Sequence, residues 1–436
     1  MIVVGTRPEI IKMAPIIKEL RQRSADFLLV HTGQHYDWEM SSVFFEELKL
    51  SEPDYYLNVK SGSHGVQTGK ILEGIEGVIE EESPDLVMVV GDTNSALGAA
   101  LAAAKMHVFV AHVEAGCRSY DRRMPEEINR ELIARVASLN FAPSPRAYIN
   151  LLLEGIPRYK VFLVGHPIVD LLYEIRDRIK DAVIREFGLT EHQYVLATFH
   201  RAENVDDPKT LREILAGLSQ SPLPVIFPIH PRTRERIKES GLNKYLKEPI
   251  IPIKPQPYLE FLGFLRNSRL VITDSGGVQQ EAAIIGVKAI TVRESIEWVE
   301  TVMYGFNELV APEKTAITEA LVRGIENPKV PKYEEYANKM FGMPGVARRI
   351  VDMILNEKVL DKIRRLDEKI RKQVIHGYPT PKLSLKKEIQ EEFSLLSFDK
   401  KGEYIRPLLQ GEGLEEPEYQ IVLAFKALRK EKSEQK

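Results

Sequence analysis

Leu86-Val87-Met88-Val89-Val90 runs into Gly91-Asp92-Thr93-Asn94-Ser95, and Val108-Phe109-Val110-Ala111-His112-Val113 runs into Glu114-Ala115-Gly116. An apolar run of this length, bounded by polar turn residues, is the pattern of a strand buried on both faces of a parallel sheet. The Ala-rich stretch from Leu97 to Lys105 has room for one crossover helix between them. Asp92 and Glu114 are thereby delivered to the carboxyl ends of adjacent parallel strands, where open α/β sheets bind ligands. Either acid could instead cap a following helix. Asp is a good N-cap and Glu a poor one, so Glu114 points to chemistry.

The same alternation extends along the chain in both directions. Strands are expected at 1–4, 27–31, 86–90, 108–113, 139–142, 161–164, 194–199, 224–229, 250–253, 270–273, 288–292 and 308–310, with helical stretches between most of them. Ile10–Leu20 has helical periodicity, with Pro8 near its first turn. Repeated βα units imply an α/β protein of two doubly wound domains. The break falls near Gly165-His166-Pro167-Ile168-Val169-Asp170. The division is therefore 1–165, 166–336, a closing helix over 337–355 and an extension over 356–436. In the extension Lys358 to Lys372 is highly charged, Pro379 and Pro381 follow, and Leu383 to Leu396 is amphipathic. Its apolar positions are too few for an independent core, so it is expected to dock helices onto a domain or a second subunit.

Composition narrows the function classes. The 436 residues are 44% hydrophobic and 28% charged, with a formal charge of −3, so no strong nucleic-acid field is implied. No apolar run approaches the ~20 residues a membrane helix needs. The start, Met1-Ile2-Val3-Val4-Gly5, does not read as a signal peptide. The single cysteine, Cys117, excludes an internal disulfide and fits a reducing cytoplasm. It reads as a small buried filler. The sequence has no HExxH, no Cys cluster, no well-formed phosphate loop and no GxGxxG opening a helix after a strand. No metal and no tightly held dinucleotide is expected.

Several strand ends carry candidate ligand groups. Gly5-Thr6-Arg7-Pro8-Glu9 joins the first strand to the first helix and suits an anion, with Arg7 as a bidentate fork and Lys12 one helical turn on. Arg7 could instead pair with Glu9. Thr273-Asp274-Ser275-Gly276-Gly277-Val278-Gln279-Gln280-Glu281 also follows a strand and opens a helix. Its glycines let backbone N–H groups approach a diphosphate. Glu281 then projects about one turn in, where a ribose diol would lie. His200-Arg201 and His230-Pro231-Arg232 end two further strands. Pro125-Glu126-Glu127 starts a helix behind Arg118, Arg122 and Arg123, a cluster that suggests a polar purpose for Glu126.

GTRPEIIK, GQH, GDTNS, HVEAG, PEEINR, HRAEN, PQPYLEF and SGGVQQE occur in this order over about residues 1–355. In this the chain resembles the non-hydrolysing UDP-N-acetylglucosamine 2-epimerases. The resemblance implies the GT-B arrangement, two Rossmann-like domains facing a cleft, with the second binding nucleotide. It implies interconversion of UDP-N-acetylglucosamine and UDP-N-acetylmannosamine, a homodimer, and no redox cofactor. By the same resemblance Asp92, Glu114 and Glu126 are the catalytic carboxylates, and His200 contacts the phosphates and helps UDP leave. Arg7 and Lys12 hold the pyrophosphate, Gln256 and Phe261 flank the uracil, Ser275, Gly276 and Gly277 bind phosphate, and Glu281 binds ribose. Gln34 and His35 match the pair that contacts an activating second substrate molecule in bacterial members. Alternatives are a related epimerase or hydrolysing enzyme acting on a UDP-diacetamido sugar, and a GT-B glycosyltransferase. The chain departs from the family pattern at Ile296-Glu297-Trp298-Val299-Glu300, where many members have Thr-Glu-Arg-Pro-Glu, and at Gly165-His166-Pro167, where Gly-Asn-Thr is more usual.

Overall fold

The computed structural model describes residues 1–34 and 38–375, which form two all-parallel sheets. The first contains β1 (Ile2–Val4), β2 (Leu29–His31), β3 (Tyr55–Tyr56), β4 (Leu86–Val90), β5 (Phe109–Val113), β6 (Leu139–Ala142) and β7 (Val161–Leu163), in the order β3-β2-β1-β4-β5-β6-β7. The second contains β8 (Val195–Thr198), β9 (Val225–Pro228), β10 (Ile250–Ile253), β11 (Leu270–Thr273), β12 (Ala289–Val292) and β13 (Asn307–Val310), in the order β10-β9-β8-β11-β12-β13. Each sheet winds outward in both directions from a central pair. The strand order reverses at β1/β4 and again at β8/β11, the two places where ligand crevices open. Every strand expected from sequence is present. β3 was not expected: it is a two-residue, half-buried edge strand, too short to show a period.

β4 shows why the strands form where they do. Met88 and Val90 enter one core with Ile2, Val4, Ile10 and Met13; Val87 and Val89 enter the other with Val3, Ala99, Ala100 and Ala103. All four are fully buried (0% exposed). At ~1.5–3 kcal/mol per side chain this burial outweighs the roughly 1 kcal/mol of a helix cap. Burial on both faces therefore sets the strand, and caps only trim its ends. The crossover helix, Asn94–Lys105, is capped by Thr93, whose hydroxyl accepts from the Ala96 N–H at 3.1 Å. Neither Asp92 nor Glu114 serves as the cap.

Four helices tie the domains together. Pro167–Ile175 and Val346–Ile354 both pack on Arg7–Gln22, and Pro167–Ile175 also meets Gly276–Ile285 of the second domain. One core therefore runs from Ile2 and Met88 through Leu171 to Ile226 and Phe264. The expected closing helix over 337–355 is shorter than the reading. A 3-10 turn at Ala337–Lys339 is separated from Val346–Ile354 by Gly342 and Gly345, at φ +83° and +98°. Asp170 caps the second piece from a distance, accepting from the Gly345, Val346 and Ala347 N–H groups at 2.7, 3.2 and 2.7 Å.

The charged stretch after 356 is a helix, Glu357–Ile375, that docks on the first domain. Ile363 is buried, Val359 and Leu360 pack beside it, and Asp367 takes Lys160 Nζ at 2.8 Å and the Tyr159 hydroxyl at 2.5 Å. The Leu383 to Leu396 stretch lies outside the described residues.

Candidate active site

At the β1/β4 switch point the two strand ends are tied by a buried acid. Glu9 Oε2 accepts from the Gly5 N–H (2.8 Å) and the Thr6 hydroxyl (2.9 Å), and Oε1 accepts from the Thr93 hydroxyl (2.6 Å). Burial raises the Glu9 pKa. Arg7 does not pair with Glu9; its guanidinium lies over the Phe44 ring, 4.6 Å from the centroid. A Cβ on Gly5 would fall 2.0 Å from Ser95 Oγ, so only glycine lets the chain turn here.

Asp92 and Glu114 stand at the ends of β4 and β5, and each has one oxygen held by a cation. Arg130 Nε donates to Asp92 Oδ2 at 2.8 Å, with a second guanidinium nitrogen at 2.5 Å. Lys12 Nζ and His166 Nε2 lie 2.5 and 3.0 Å from Glu114 Oε2. Burial pushes the Glu114 carboxyl up, but the ammonium of Lys12 and the His166 hydrogen bond outweigh it and hold the pKa at about 2. For Lys12, burial lowers the pKa, and Glu114 and Asp92 more than reverse this. Lys12 thus stands behind Glu114 as its counter-ion rather than waiting free for a phosphate. Glu114 sits at φ +68°, a conformation uncommon outside glycine and characteristic of functional strain.

Arg130 also binds Glu127 Oε2 (2.5 Å) and, across the cleft, Glu297 Oε1 (3.0 Å), which Arg293 holds in turn. Glu127 is a buried strut that accepts from the Ser119 and Tyr120 N–H groups at 3.0 and 3.1 Å. Glu126, beside it, is half-buried, faces the charge of Arg201, and is free of ion pairs among the described residues. Arg118, Arg122 and Arg123 do not converge as their spacing suggested. Arg118 is buried in a bidentate pair with Glu154, while Arg122 and Arg123 are 70% and 75% exposed.

The β8/β11 switch point repeats the tie with other residues. Asp274, buried at the end of β11, accepts from the His200 N–H (3.1 Å), the Arg201 N–H (3.0 Å) and Asn204 Nδ2 (3.2 Å). The helix Gly276–Ile285 starts with Ser275 at its N-cap, and no side chain satisfies its first N–H groups. That leaves an anion cradle beside His200. One turn in, Glu281 Oε1 accepts from the Tyr258 hydroxyl at 2.8 Å, and burial raises its pKa to about 7.

The remaining candidates fall in different settings. Phe261 is 7% exposed and packs in the core, and Gln256 donates to the Lys254 carbonyl at 2.8 Å in the preceding loop. Gln34 Oε1 accepts from the Ser95 N–H and hydroxyl at 2.9 and 2.6 Å, which makes it a strut to the crossover helix. His35 lies outside the described residues. Cys117 is buried, and burial raises its thiol pKa well above the usual value. Sequence reading missed Arg130, His166, Glu9 and Asp274 as site-building groups. The unusual Gly165-His166-Pro167 was the one available signal for His166.

The family profile described as UDP-N-acetylglucosamine 2-epimerase matches residues 18–355. A UDP-N-acetylglucosamine 2-epimerase of Methanocaldococcus jannaschii is 48% identical over 335 residues, 74% of this chain and 90% of that protein. A UDP-2,3-diacetamido-2,3-dideoxy-D-glucuronate 2-epimerase of Pseudomonas aeruginosa is 43% identical over 325 residues, 73% of this chain and 90% of that one. The crystal structure of the Methanocaldococcus jannaschii enzyme with UDP-GlcNAc and UDP superposes with a TM-score of 0.76 at 44% identity, covering 81% of this chain and 98% of that chain.

Proposed function

The chain belongs to the UDP-N-acetylglucosamine 2-epimerase family, and from that premise we propose how its two switch points divide the reaction between them. The activity is interconversion of UDP-N-acetylglucosamine and UDP-N-acetylmannosamine. The proton on sugar C2 has no adjacent carbonyl to acidify it, so direct abstraction is ruled out on chemical grounds. If UDP departs first, positive charge develops at C1 and the C2 proton becomes removable. Elimination leaves UDP and 2-acetamidoglucal, and re-addition to the other face inverts C2.

This needs a base, an acid and a clamp on the leaving diphosphate. Glu114, held ionised, is the proton acceptor. Asp92, fixed by Arg130, places negative charge beside the developing cation. Glu126, without an ion-pair partner among the described residues, is the partner acid. On the other side Arg7, His200, the Ser275 side chain and the N–H groups at Gly276 and Gly277 take the diphosphate, and Glu281 takes the ribose. Closure of the domains keeps the glycal from escaping. The observation that carries this reading is the placement of two carboxylates, each with one oxygen anchored to a cation, at adjacent strand ends of one sheet. The other sheet supplies an uncapped helix N-terminus.

Incubation with UDP-N-acetylglucosamine in D2O, followed by proton NMR, tests it. Both epimers should appear with deuterium at C2. Product without deuterium overturns the mechanism, and free N-acetylmannosamine with stoichiometric UDP moves the chain to a hydrolysing reaction. The Pseudomonas aeruginosa relative motivates one competing substrate: faster turnover of UDP-2,3-diacetamido-2,3-dideoxy-D-glucuronate would reassign the sugar. The reading includes a homodimer in the cytoplasm, for which light scattering tests the first part. No helix among the described residues is long and apolar enough to cross a membrane.

A further inference from the structure

Both donors at Glu114 meet the same oxygen. Lys12 Nζ and His166 Nε2 meet at Oε2, while Oε1 receives no hydrogen bond among the described residues. One carboxylate oxygen is therefore saturated and the other is left for chemistry. The lysine is a flexible point charge and does not by itself fix the carboxylate plane.

His166 has the rigidity that Lys12 lacks. Its Nδ1 accepts from the Ile168 N–H at 3.1 Å, so a neutral ring carries its proton on Nε2, aimed at Glu114. Its backbone N–H donates to the Phe341 carbonyl at 2.7 Å. The ring is fully buried, with Trp298 edge-on at 5.6 Å and 81° and Phe341 at 6.1 Å and 68°. Trp298 is itself wedged: its Nε1 lies 3.3 Å from where a Cβ on Gly276 would sit, at the start of the anion-binding helix. The two places where the chain departs from the usual motifs, His166 and Trp298, are thus in contact, and they span from the cradle of the second sheet to the acid of the first.

We propose that His166, braced by Trp298, is a positioning residue for Glu114: it fixes the carboxylate with Oε2 occupied so that Oε1 alone exchanges the C2 proton. In the elimination the C2–H electron pair becomes the C1=C2 bond, the C1–O bond breaks with its pair leaving on UDP, and the proton passes to Oε1. In re-addition the UDP oxygen returns its pair to C1, the C1=C2 pair takes a proton from Glu126 on the opposite face of C2, and the proton on Oε1 passes to solvent. The inference rests on the epimerase reading and adds the residue that aims its base.

The test compares His166→Ala with His166→Gln, whose amide nitrogen extends to the place of Nε2 and can still donate to Oε2. His166→Ala should lower kcat on the order of 10–100-fold, the scale of a misaimed reacting group, with KM nearly unchanged. Glu114 faces Lys12 from the first helix, and Asp92, His112 and Cys117 from its own sheet. Only the His166 donor is removed, so the acid limb of the rate profile should move to higher pH. His166→Gln should return both kcat and the acid limb most of the way. Should His166→Ala lose its fold by circular dichroism, His166→Leu fills the ring's space without a donor and replaces it. Wild-type kcat in the donor-free variant overturns the proposal. So does a loss of kcat with an unmoved acid limb and no recovery in His166→Gln. Absence of C2 deuterium exchange in the unaltered protein would instead sink the epimerase reading, so the two failures are told apart.

Discussion

The β1/β4 and β8/β11 switch points share a topology and present opposite chemistry. Each is pinned by one buried acid, Glu9 in the first and Asp274 in the second, that gathers strand-end hydrogen bonds. Beyond that tie they diverge. The first sheet delivers carboxylates backed by basic side chains: Asp92 on the Arg130 cation, Glu114 on the Lys12 cation and the His166 donor. The second delivers an uncapped helix start, His200 and Arg201, and its buried acid Glu281 is paired to a tyrosine hydroxyl. Winding order decides where a site opens, and the one or two residues after each strand decide what it does there.

If the contrast is right, the two sides fail differently. The largest effect belongs to the first sheet. Asp92→Asn, Glu114→Gln and Glu126→Gln should each lower kcat by at least ~100-fold while UDP affinity by calorimetry changes little. Near-normal turnover in any one of them removes that residue from the catalytic set. Next come Arg7→Ala and His200→Ala, which should weaken UDP binding by roughly 10-fold or more, the loss of a charge-assisted hydrogen bond, and also slow turnover. A change in kcat alone would move either residue to the chemical side.

A smaller effect concerns Glu281. Its folded-state pKa is about 7 against an ordinary value of 4.5, because burial disfavours the charged form. The folded protein therefore holds this proton more tightly than the unfolded chain does, and stability declines as pH rises from about 4.5 to 7. Glu281→Gln should raise Tm of the ligand-free protein at pH 8, give no gain below pH 4.5, and weaken UDP binding. An equal gain at both pH values would mean that ionisation of Glu281 is not the cause. Least consequential for catalysis is removal of everything after Leu355. It exposes the site of Ile363 and deletes the Lys160–Asp367 pair, at a cost of about 2–4 kcal/mol. Tm should fall and epimerisation persist. Loss of activity in a folded truncated protein would bring the extension into the site.

The strands and the acids were legible because they are local signals. An apolar run that ends in Gly-Asp or Val-Glu states both burial and position. The groups that hold those acids were not legible, because each works across the chain: Glu9 reaches Thr93, Asn204 reaches Asp274, Arg130 reaches Glu297, and His166 reaches Glu114. Proximity in sequence also misled. Three arginines within six positions read as one cluster, yet the strand-to-helix loop turns Arg118 inward and the other two outward.

The chain crosses between the domains twice, at 165–170 and at 341–346, and the crossings are laced together by His166 N–H to the Phe341 carbonyl and by Asp170 to three successive amides. A single strand between two bodies is a swivel, free to twist as well as bend. Two strands fastened side by side behave as a door hinge, with one axis and little torsion. Any swing of the second domain would therefore carry the start of the Gly276–Ile285 helix along a single arc relative to Glu114, with registration between the halves kept by the backbone.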